Sequence, residues 1–229
     1  MKTKNLFFWT FAALFVFGIV TSCKKEDDGP LVNPKVAFIH ACSGDDVKFL
    51  RIFLKDSSVF VNNNVSHPNS IPYASIPEGT HPFNISIRDS STAFFNSNIP
   101  FNNNKNYTLI ASNTKAKIEL LKLEDNLSVP DSLKTYIRFI NLISNSTGVN
   151  LLVDSVSIGS NIAYKSVIDF FPIEINDHSI EILQSQTNKL IAKFKLNKAA
   201  KGKKYTIYTA GLIGGTGSAI PGHNLMVNN

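Results

Sequence analysis

The sequence predicts an all-β protein built from two tandem antiparallel β-sandwiches, immunoglobulin-like or transthyretin-like in topology, after a signal peptide and a flexible tether. Three observations support this prediction. Apolar and polar residues alternate in many short segments, and two parts of the chain repeat the same motifs in the same order. Turn-forming residues also recur about every 8–12 residues, which is typical of sandwiches. No long segment shows the 3.6-residue periodicity of an amphipathic helix.

The first element is a signal peptide at residues 1–22. Lys2 and Lys4 form a short basic segment, and residues 7–20 are apolar, aromatic or small apart from Thr10. A helix of this length spans about 21 Å, which is less than the roughly 30 Å hydrocarbon core of a bilayer. The segment therefore has the dimensions of a signal sequence, and a transmembrane helix is the less favoured alternative.

Residues 20–23 resemble the bacterial lipobox, in which an aliphatic residue and two small residues precede a cysteine. Here these residues are Val20, Thr21, Ser22 and Cys23. The resemblance implies signal cleavage between Ser22 and Cys23, lipidation of the Cys23 thiol and a further acyl chain on the new amine. Each buried CH₂ contributes about 0.8 kcal/mol, so two or more chains give stable attachment to a lipid bilayer. The alternative is an ordinary signal peptide with an unrelated cysteine.

Residues 23–34 form the expected flexible tether, because charged residues, Gly29 and Pro30 prevent them from joining a sheet. The run of two lysines and three acids at residues 24–28 resembles the export signal of lipoproteins in the Bacteroidota. That resemblance implies a lipid anchor in the cell outer membrane with the protein facing outward. Lys24 also differs from the aspartate associated with inner-membrane retention in enteric bacteria. A spacer on a lipoprotein at the periplasmic face is the alternative.

The rest of the chain is predicted to hold two diverged copies of one domain, at residues 35–124 and 134–229, joined by a linker at 125–133. Residues 37–40 match 138–141, 71–75 match 162–166, 84–87 match 179–182, and 107–110 match 205–208. Loop-length changes explain the small drift in these offsets. About seven short strands are expected in each copy, each with one apolar face and one solvent-facing face.

Several core and turn motifs carry a family resemblance. They are residues 138–142, 149–154, 163–167 and 171–173 in the second copy and residues 73–81 in the first. These segments resemble the bacterial domain-of-unknown-function family numbered 4397, which implies tandem β-sandwich modules in an exported protein and no particular active site. The sequence departs from the family pattern at four places, which are Ala37, His40, Lys165 and Asn176-Asp177.

Candidate metal ligands and catalytic groups are sparse. His40 and Cys42 share one face of the first strand, but two ligands are too few for a structural zinc site. Lipidation of Cys23 would leave Cys42 without a disulfide partner. The sequence has no G-x-S-x-G elbow, and residues 214–217 lack the ending of a phosphate-binding loop, so we expect a hairpin loop there. We predict no cofactor, no metal, no catalytic residue and no enzymatic activity.

Charge and composition narrow the partners further. The formal charge of +6 falls to about +4 when Lys2 and Lys4 leave with the signal peptide, which is too weak a positive charge to indicate nucleic acid. Only three arginines, the residues that best bind phosphate or guanine in bidentate fashion, are present. Residues 189–204 hold seven lysines and no acid. Lysines that alternate with Phe194 and Leu196 are typical of an edge strand protected against pairing with another chain, and we favour this interpretation. The alternative is that the lysines attract an acidic glycan or a lipopolysaccharide phosphate. Ser132, in Asp131-Ser132-Leu133, and Ser155 resemble short O-glycosylation motifs, and Ser132 is the better candidate because it lies in the linker.

Together these features predict a membrane-anchored, non-catalytic cell-envelope lipoprotein with a binding or structural role. Its partners would be the lipid bilayer, through acylated Cys23, and a glycan or an envelope protein. The alternative is a surface glycan-binding accessory of a nutrient-uptake system, which would require exposed tyrosines clustered on one sandwich edge. Tyr73, Tyr107, Tyr164 and Tyr205 occupy equivalent repeat positions, however, and are expected in the core.

Overall fold

A computed structural model describes residues 30–54, 62–88, 90, 92–197 and 199–229. The predicted signal peptide, the lipobox, Cys23 and most of the tether lie outside the described residues. Within the described part, no helix is long and apolar enough to span a bilayer. Residues Leu31–Asn229 form one compact unit.

Eight strands form two four-stranded sheets in the first half of this unit. The strands are β1 (Lys35–Cys42), β2 (Phe49–Leu54), β3 (Asn62–Ser66), β4 (Ser70–Ser75), β5 (Gly79–Ile87), β6 (Phe95–Phe101), β7 (Asn106–Asn113) and β8 (Glu119–Glu124). Sheet A has the order β4-β1-β7-β8, and sheet B has the order β3-β2-β5-β6.

The second half repeats this topology strand for strand. Its strands are β9 (Thr135–Ile140), β10 (Val149–Val153), β11 (Val156–Ile162), β12 (Val167–Ile173), β13 (His178–Gln184), β14 (Leu190–Leu196), β15 (Lys204–Ala210) and β16 (Gly222–Val227). Sheet C has the order β12-β9-β15-β16, and sheet D has the order β11-β10-β13-β14. The prediction of an all-β chain with two sandwich-like domains is confirmed. Each described copy has eight strands rather than about seven, and β1–β7 and β9–β15 pair in parallel.

The outer sheets B and D follow the alternation seen in the sequence. In β2, Leu50, Ile52 and Leu54 are buried, whereas the residues between them are partly exposed. The central strand β10 of sheet D has the same pattern. Sheet B packs its apolar face on sheet A, where the rings of Phe38 and Phe83 lie 6.1 Å apart. Sheets C and D enclose a second core of the same kind.

The inner sheets A and C do not follow that alternation, because both of their faces are buried. Every residue of β9 is buried, as are seven of the eight residues of β1. A third apolar core lies between the copies and includes Ile39 and Ile110 from the first and Ile140 and Tyr208 from the second. The two sandwiches therefore pack with sheet A against sheet C, and the unit has four layers in the order B, A, C, D.

Candidate functional site

A closed ring of polar side chains crosses the interface between sheets A and C. The Asp125 carboxylate accepts hydrogen bonds from Tyr73 Oη (2.7 Å) and Thr108 Oγ1 (2.6 Å), and it forms an ion pair with Arg138. Arg138 Nε donates to Thr206 Oγ1 at 3.0 Å. The ring then closes through Asn228, which accepts from the Thr206 hydroxyl at 2.7 Å and donates to Tyr73 Oη at 3.0 Å.

The ion pair of the ring is deeply buried, and the ring was not predicted from the sequence. Asp125 and Arg138 side chains are 0% and 3% exposed. Asp125 was predicted to lie in the linker, because acids, Asn and Pro interrupt the strand pattern there. One signal of this site was present in the sequence: the family pattern has arginine at the positions of both Ala37 and Arg138, but only the second copy keeps it. Sheets A and C face each other, so an arginine at position 37 would also be buried and would need a carboxylate partner of its own.

A groove follows the line where edge strand β4 of the first copy meets edge strand β16 of the second. We call it the seam groove. At one end it is a cleft of about 600 Å³, lined by Lys35, Pro72, Tyr73, Ser75, Asn106, Leu127, Val227, Asn228 and Asn229. Farther along the same two strands lies a second cleft of about 280 Å³, lined by Val65, Ser66, Asn69, Ser70, Ile71, Asn224 and Leu225.

The lining of the seam groove mixes polar and apolar side chains and carries little charge. Its polar side chains are amides, hydroxyls, one phenol and the ammonium group of Lys35, its apolar ones include Leu127, Val227, Ile71 and Leu225, and no Asp or Glu side chain of the described residues lines it. The two strands are bridged by side chains, since Asn224 Nδ2 donates to the Pro68 carbonyl at 2.9 Å and Asn228 bonds to Tyr73. From Ser70 to Ser75, β4 spans about 17 Å at 3.3 Å per residue, so the groove suits an extended ligand.

A separate cleft of about 410 Å³ lies between the copies at the far end of the interface. There the Asp45 carboxylate accepts a hydrogen bond from the Ser218 amide at 3.1 Å. Gly217 has a φ of +58°, and a Cβ at this position would lie 2.9 Å from the same carboxylate. Burial lowers the pKa of the neighbouring His67 to about 4, so the ring is neutral at neutral pH. Residues 214–217 lie in the connection between β15 and β16, where a hairpin loop was expected.

His40 and Cys42 have structural roles in the first copy. His40 Nδ1 accepts from the Cys42 amide at 3.2 Å, and Nε2 lies 2.8 Å from the Val47 carbonyl, so backbone groups occupy both ring nitrogens. The repeat-equivalent Asn141 accepts from the Ile143 amide in the same way. Burial raises the pKa of the Cys42 thiol. Among the residues that the structure describes, no group of three or more His, Cys, Asp or Glu side chains could hold a metal ion.

All six tyrosines lie in the described chain, and every one is buried or partly buried. Tyr107, Tyr136 and Tyr205 share one arrangement, in which the phenol accepts a hydrogen bond from the backbone amide five residues earlier. Such tyrosine corners fix the crossing between the sheets of a sandwich. The exposed tyrosine cluster that the glycan-accessory alternative required is therefore absent from the described surface, although the ring of Tyr73 lines the seam groove.

The lysine-rich stretch divides into two parts. β14 is an edge strand of sheet D, and Lys193 and Lys195 lie on its exposed face, as the edge-protection interpretation expects. Lys204 is buried instead. Its ammonium donates to the Asn126 carbonyl at 2.7 Å and lies 4.5 Å from the centre of the Phe170 ring, so it fixes the connection between the copies.

The predicted modification sites are placed as follows. Ser132 is exposed in a turn just before β9, where the Asp131 carboxylate accepts from the Leu133 amide at 2.7 Å. Ser155 lies in the tight turn between β10 and β11 with a φ of +67°. The lipidation and cleavage residues, which are Val20, Thr21, Ser22 and Cys23, lie outside the described residues.

Comparisons with known proteins agree with the repeated fold. A family model described as Domain of unknown function (DUF4397) matches residues 34–146 and 135–221. No curated protein matches the chain. One similar solved structure concerns alpha-glucan binding by a streptococcal virulence factor, with 10% identity, 79% of this chain and 93% of that chain covered, and a TM-score of 0.27. Another concerns alpha-glucan recognition by family 41 carbohydrate-binding modules from streptococcal virulence factors, with 8% identity, coverage of 77% and 93%, and a TM-score of 0.23. At these identities and TM-scores, the two structures give no information about a ligand of this chain.

Proposed function

The chain belongs to the DUF4397 family of domains of unknown function, and we propose that it is a membrane-anchored, non-catalytic cell-envelope lipoprotein that binds its ligand along the seam groove. The lipobox at residues 20–23 supports the anchor. The observation that carries the binding role is the groove between β4 and β16, which only the assembled pair of copies creates. The tether motif supports attachment to the outer membrane with the unit facing outward.

A glycan is the ligand class that the groove favours. Amides and hydroxyls both donate and accept hydrogen bonds, as sugar hydroxyls do, whereas a charged ligand would need several charges of opposite sign in the lining. Asn106 and Ser75 offer such groups in the larger cleft of the groove. An extended peptide from an envelope protein is the second candidate. It is favoured by one observation, which is that β4 and β16 are both edge strands with unpaired backbone groups.

The anchor is tested by metabolic labelling with a palmitate analogue in the native host. The wild-type chain should incorporate the label, and Cys23→Ala should not. Cys42→Ala is the matched control, because Cys42 is the other cysteine of the chain, is buried, and should leave labelling unchanged. Labelling that persists in Cys23→Ala would show that the anchor is assigned wrongly. Protease treatment of intact cells then tests whether the unit faces outward.

The groove is tested with residues 31–229, which form one compact unit. Native gels that contain neutral or acidic polysaccharides should retard this unit only with a neutral polysaccharide. Ser75→Leu removes a hydroxyl from the lining of the groove and narrows the groove with a larger side chain. Ser157→Leu is the matched control, because it makes the same change at an exposed position on β11, away from the groove. We expect Ser75→Leu to weaken retardation about five-fold, the equivalent of one hydrogen bond of about 1 kcal/mol. Equal retardation of the two variants, or none with any polysaccharide, would contradict glycan binding here.

A further inference from the structure

One end of the two-sandwich unit is defined by strand pairing. Lys35, at the start of β1, pairs with Asn106 at the start of β7 and with Ser75 at the end of β4. The second copy repeats this arrangement, and the bond from Lys204 to the Asn126 carbonyl places the two ends together. The chain enters the fold here at residue 31. We call this end the N-terminal pole, and it comprises residues 31–35, 101–106, 124–135, 153–156, 173–178, 199–204 and 227–229.

Exposed apolar side chains are concentrated at the N-terminal pole. Nine large hydrophobic residues are exposed in the described part of the chain, with between 37% and 70% of their surface accessible. Three of them, Val167, Leu190 and Ile220, lie towards the opposite end. The other six lie at the pole and are Leu31, Val32, Leu133, Val156, Ile175 and Val227. A concentration of this kind marks an interaction surface more often than scattered apolar residues do.

Contacts within the pole connect the regions around four of these residues. Asn229 Nδ2 donates to the Gly202 carbonyl at 3.0 Å, and Gly202 in turn donates to the Lys134 carbonyl, which links the Val227 and Leu133 regions. Lys134 forms an ion pair with Glu174, next to Ile175. The loop that holds Ile175 then leads to the turn that precedes Val156, where the side chains of His178 and Asp154 bond at 2.6 Å. Leu31 and Val32 lie at the start of the chain beside Asn104.

Charges at the pole are largely paired. Besides Lys134 and Glu174, Lys105 and Glu124 form an ion pair at 2.5 Å. Paired charges at a surface weaken the field that would repel or attract a charged protein partner. The remaining exposed lysines, Lys35, Lys201 and Lys203, have long aliphatic stems that let an ammonium group remain in water while the stem lies along apolar surface.

The length of the tether limits how far this surface can lie from the membrane. Eight peptide steps separate Cys23 from Leu31. At no more than about 3.5 Å for each residue, the tether reaches about 28 Å when fully extended. A lipid-anchored Cys23 therefore keeps the pole close to the headgroups at a high effective concentration, so a weak affinity for the bilayer is sufficient for contact.

We propose that the N-terminal pole rests on the bilayer surface, with its six exposed apolar side chains in the headgroup region. This inference rests on the proposed lipid anchor. It places the larger cleft of the seam groove, whose lining includes the pole residues Lys35, Val227 and Asn229, beside the headgroups, and the far cleft at Asp45 and His67 farthest from the membrane.

The test uses the acylated full-length mature protein, whose only natural tryptophan, Trp9, is removed with the signal peptide. Leu133→Trp places a single reporter at the pole, and Ile220→Trp places a matched reporter at the opposite end, at positions that are 58% and 60% exposed. Each variant is reconstituted in vesicles of phosphatidylethanolamine and phosphatidylglycerol, with and without brominated acyl chains. Thermal unfolding confirms that both variants fold.

Flotation of the vesicles reports the anchor, and bromine quenching reports the depth of the reporter. We expect both variants to float and the Leu133→Trp emission to shift to the blue and be quenched several-fold more strongly than that of Ile220→Trp. Flotation with equal, weak quenching of the two reporters would overturn the inference and leave the anchor intact. Failure to float would overturn the anchor, and the inference with it.

Discussion

Asn in place of Asp125 should destabilise the unit far more than the loss of one carboxylate on the surface. Asp125 and Arg138 are almost completely buried, and the carboxylate also accepts from Tyr73 and Thr108. Asp125→Asn leaves the guanidinium without a counter-charge in a site from which water is excluded. Breaking a buried ion pair on one side costs about 3–5 kcal/mol. For a unit of this size, that loss corresponds to a decrease in Tm of about 10 °C.

The magnitude is measured by urea unfolding followed by far-ultraviolet circular dichroism, with the thermal midpoint as a second measure. Asp46→Asn, at an exposed position in the turn after β1, is the matched control and should change the free energy of unfolding by less than about 0.5 kcal/mol. The double variant Asp125→Asn/Arg138→Met removes both charges and should be more stable than Asp125→Asn alone. A loss below about 1 kcal/mol for Asp125→Asn, or a double variant less stable than the single one, would refute the role assigned to the ring.

Three further predictions concern single side chains. Burial lowers the pKa of His40 to about 3 from its usual 6.5, so the unfolded chain binds more protons between these values and stability falls as the pH drops below 6.5. His40→Asn introduces the residue found at the equivalent position of the second copy, Asn141, which does not titrate in this range. At pH 4.5 this variant should keep about 2–3 kcal/mol of the unfolding free energy that the wild-type protein loses. The free energy of unfolding is measured as a function of pH, and parallel curves for the two proteins would contradict the prediction. Tyr205→Phe removes the hydrogen bond between the phenol and the Ala200 amide and should lower the free energy of unfolding by about 1 kcal/mol. Equal stability of the variant and the wild type in urea denaturation would show that this hydrogen bond does not stabilise the fold. Peptide mass spectrometry of the mature protein separates two expectations for Ser132: the glycosylation motif predicts a glycan there, whereas bilayer contact of the adjacent Leu133 requires that Ser132 carry none, so a glycosylated Ser132 would contradict that contact.

The sequence predicted the outer layers better than the inner ones. Alternation of apolar and polar residues identifies a strand with one wet face, and sheets B and D have this form. Strands β1 and β9 are buried on both faces, and a continuous apolar run gives no sign of which partner covers each face. The contact between sheets A and C was therefore not predicted, although the two repeats were.

The seam groove and the polar ring were not predicted either, because both depend on the contact between the two copies. Their residues are far apart in the sequence and meet only when the copies pack, so no local spacing connects Tyr73 with Asn228 or Asp125 with Arg138. The spacing of His40 and Cys42 indicated a shared strand face but not their hydrogen bonds. In the structure, backbone groups use both ring nitrogens of His40.

Burial of sheets A and C against each other has a consequence for how the repeat can be rearranged. Neither copy is a self-sufficient building block, since separation would expose the apolar side of its inner sheet, including Ile39 in one half and Tyr208 in the other. A gene fragment that encodes one half should therefore give a product that self-associates or aggregates. The two copies are therefore expected to fold stably only together, so a substitution on the buried face of one inner sheet requires a compensating substitution on the other.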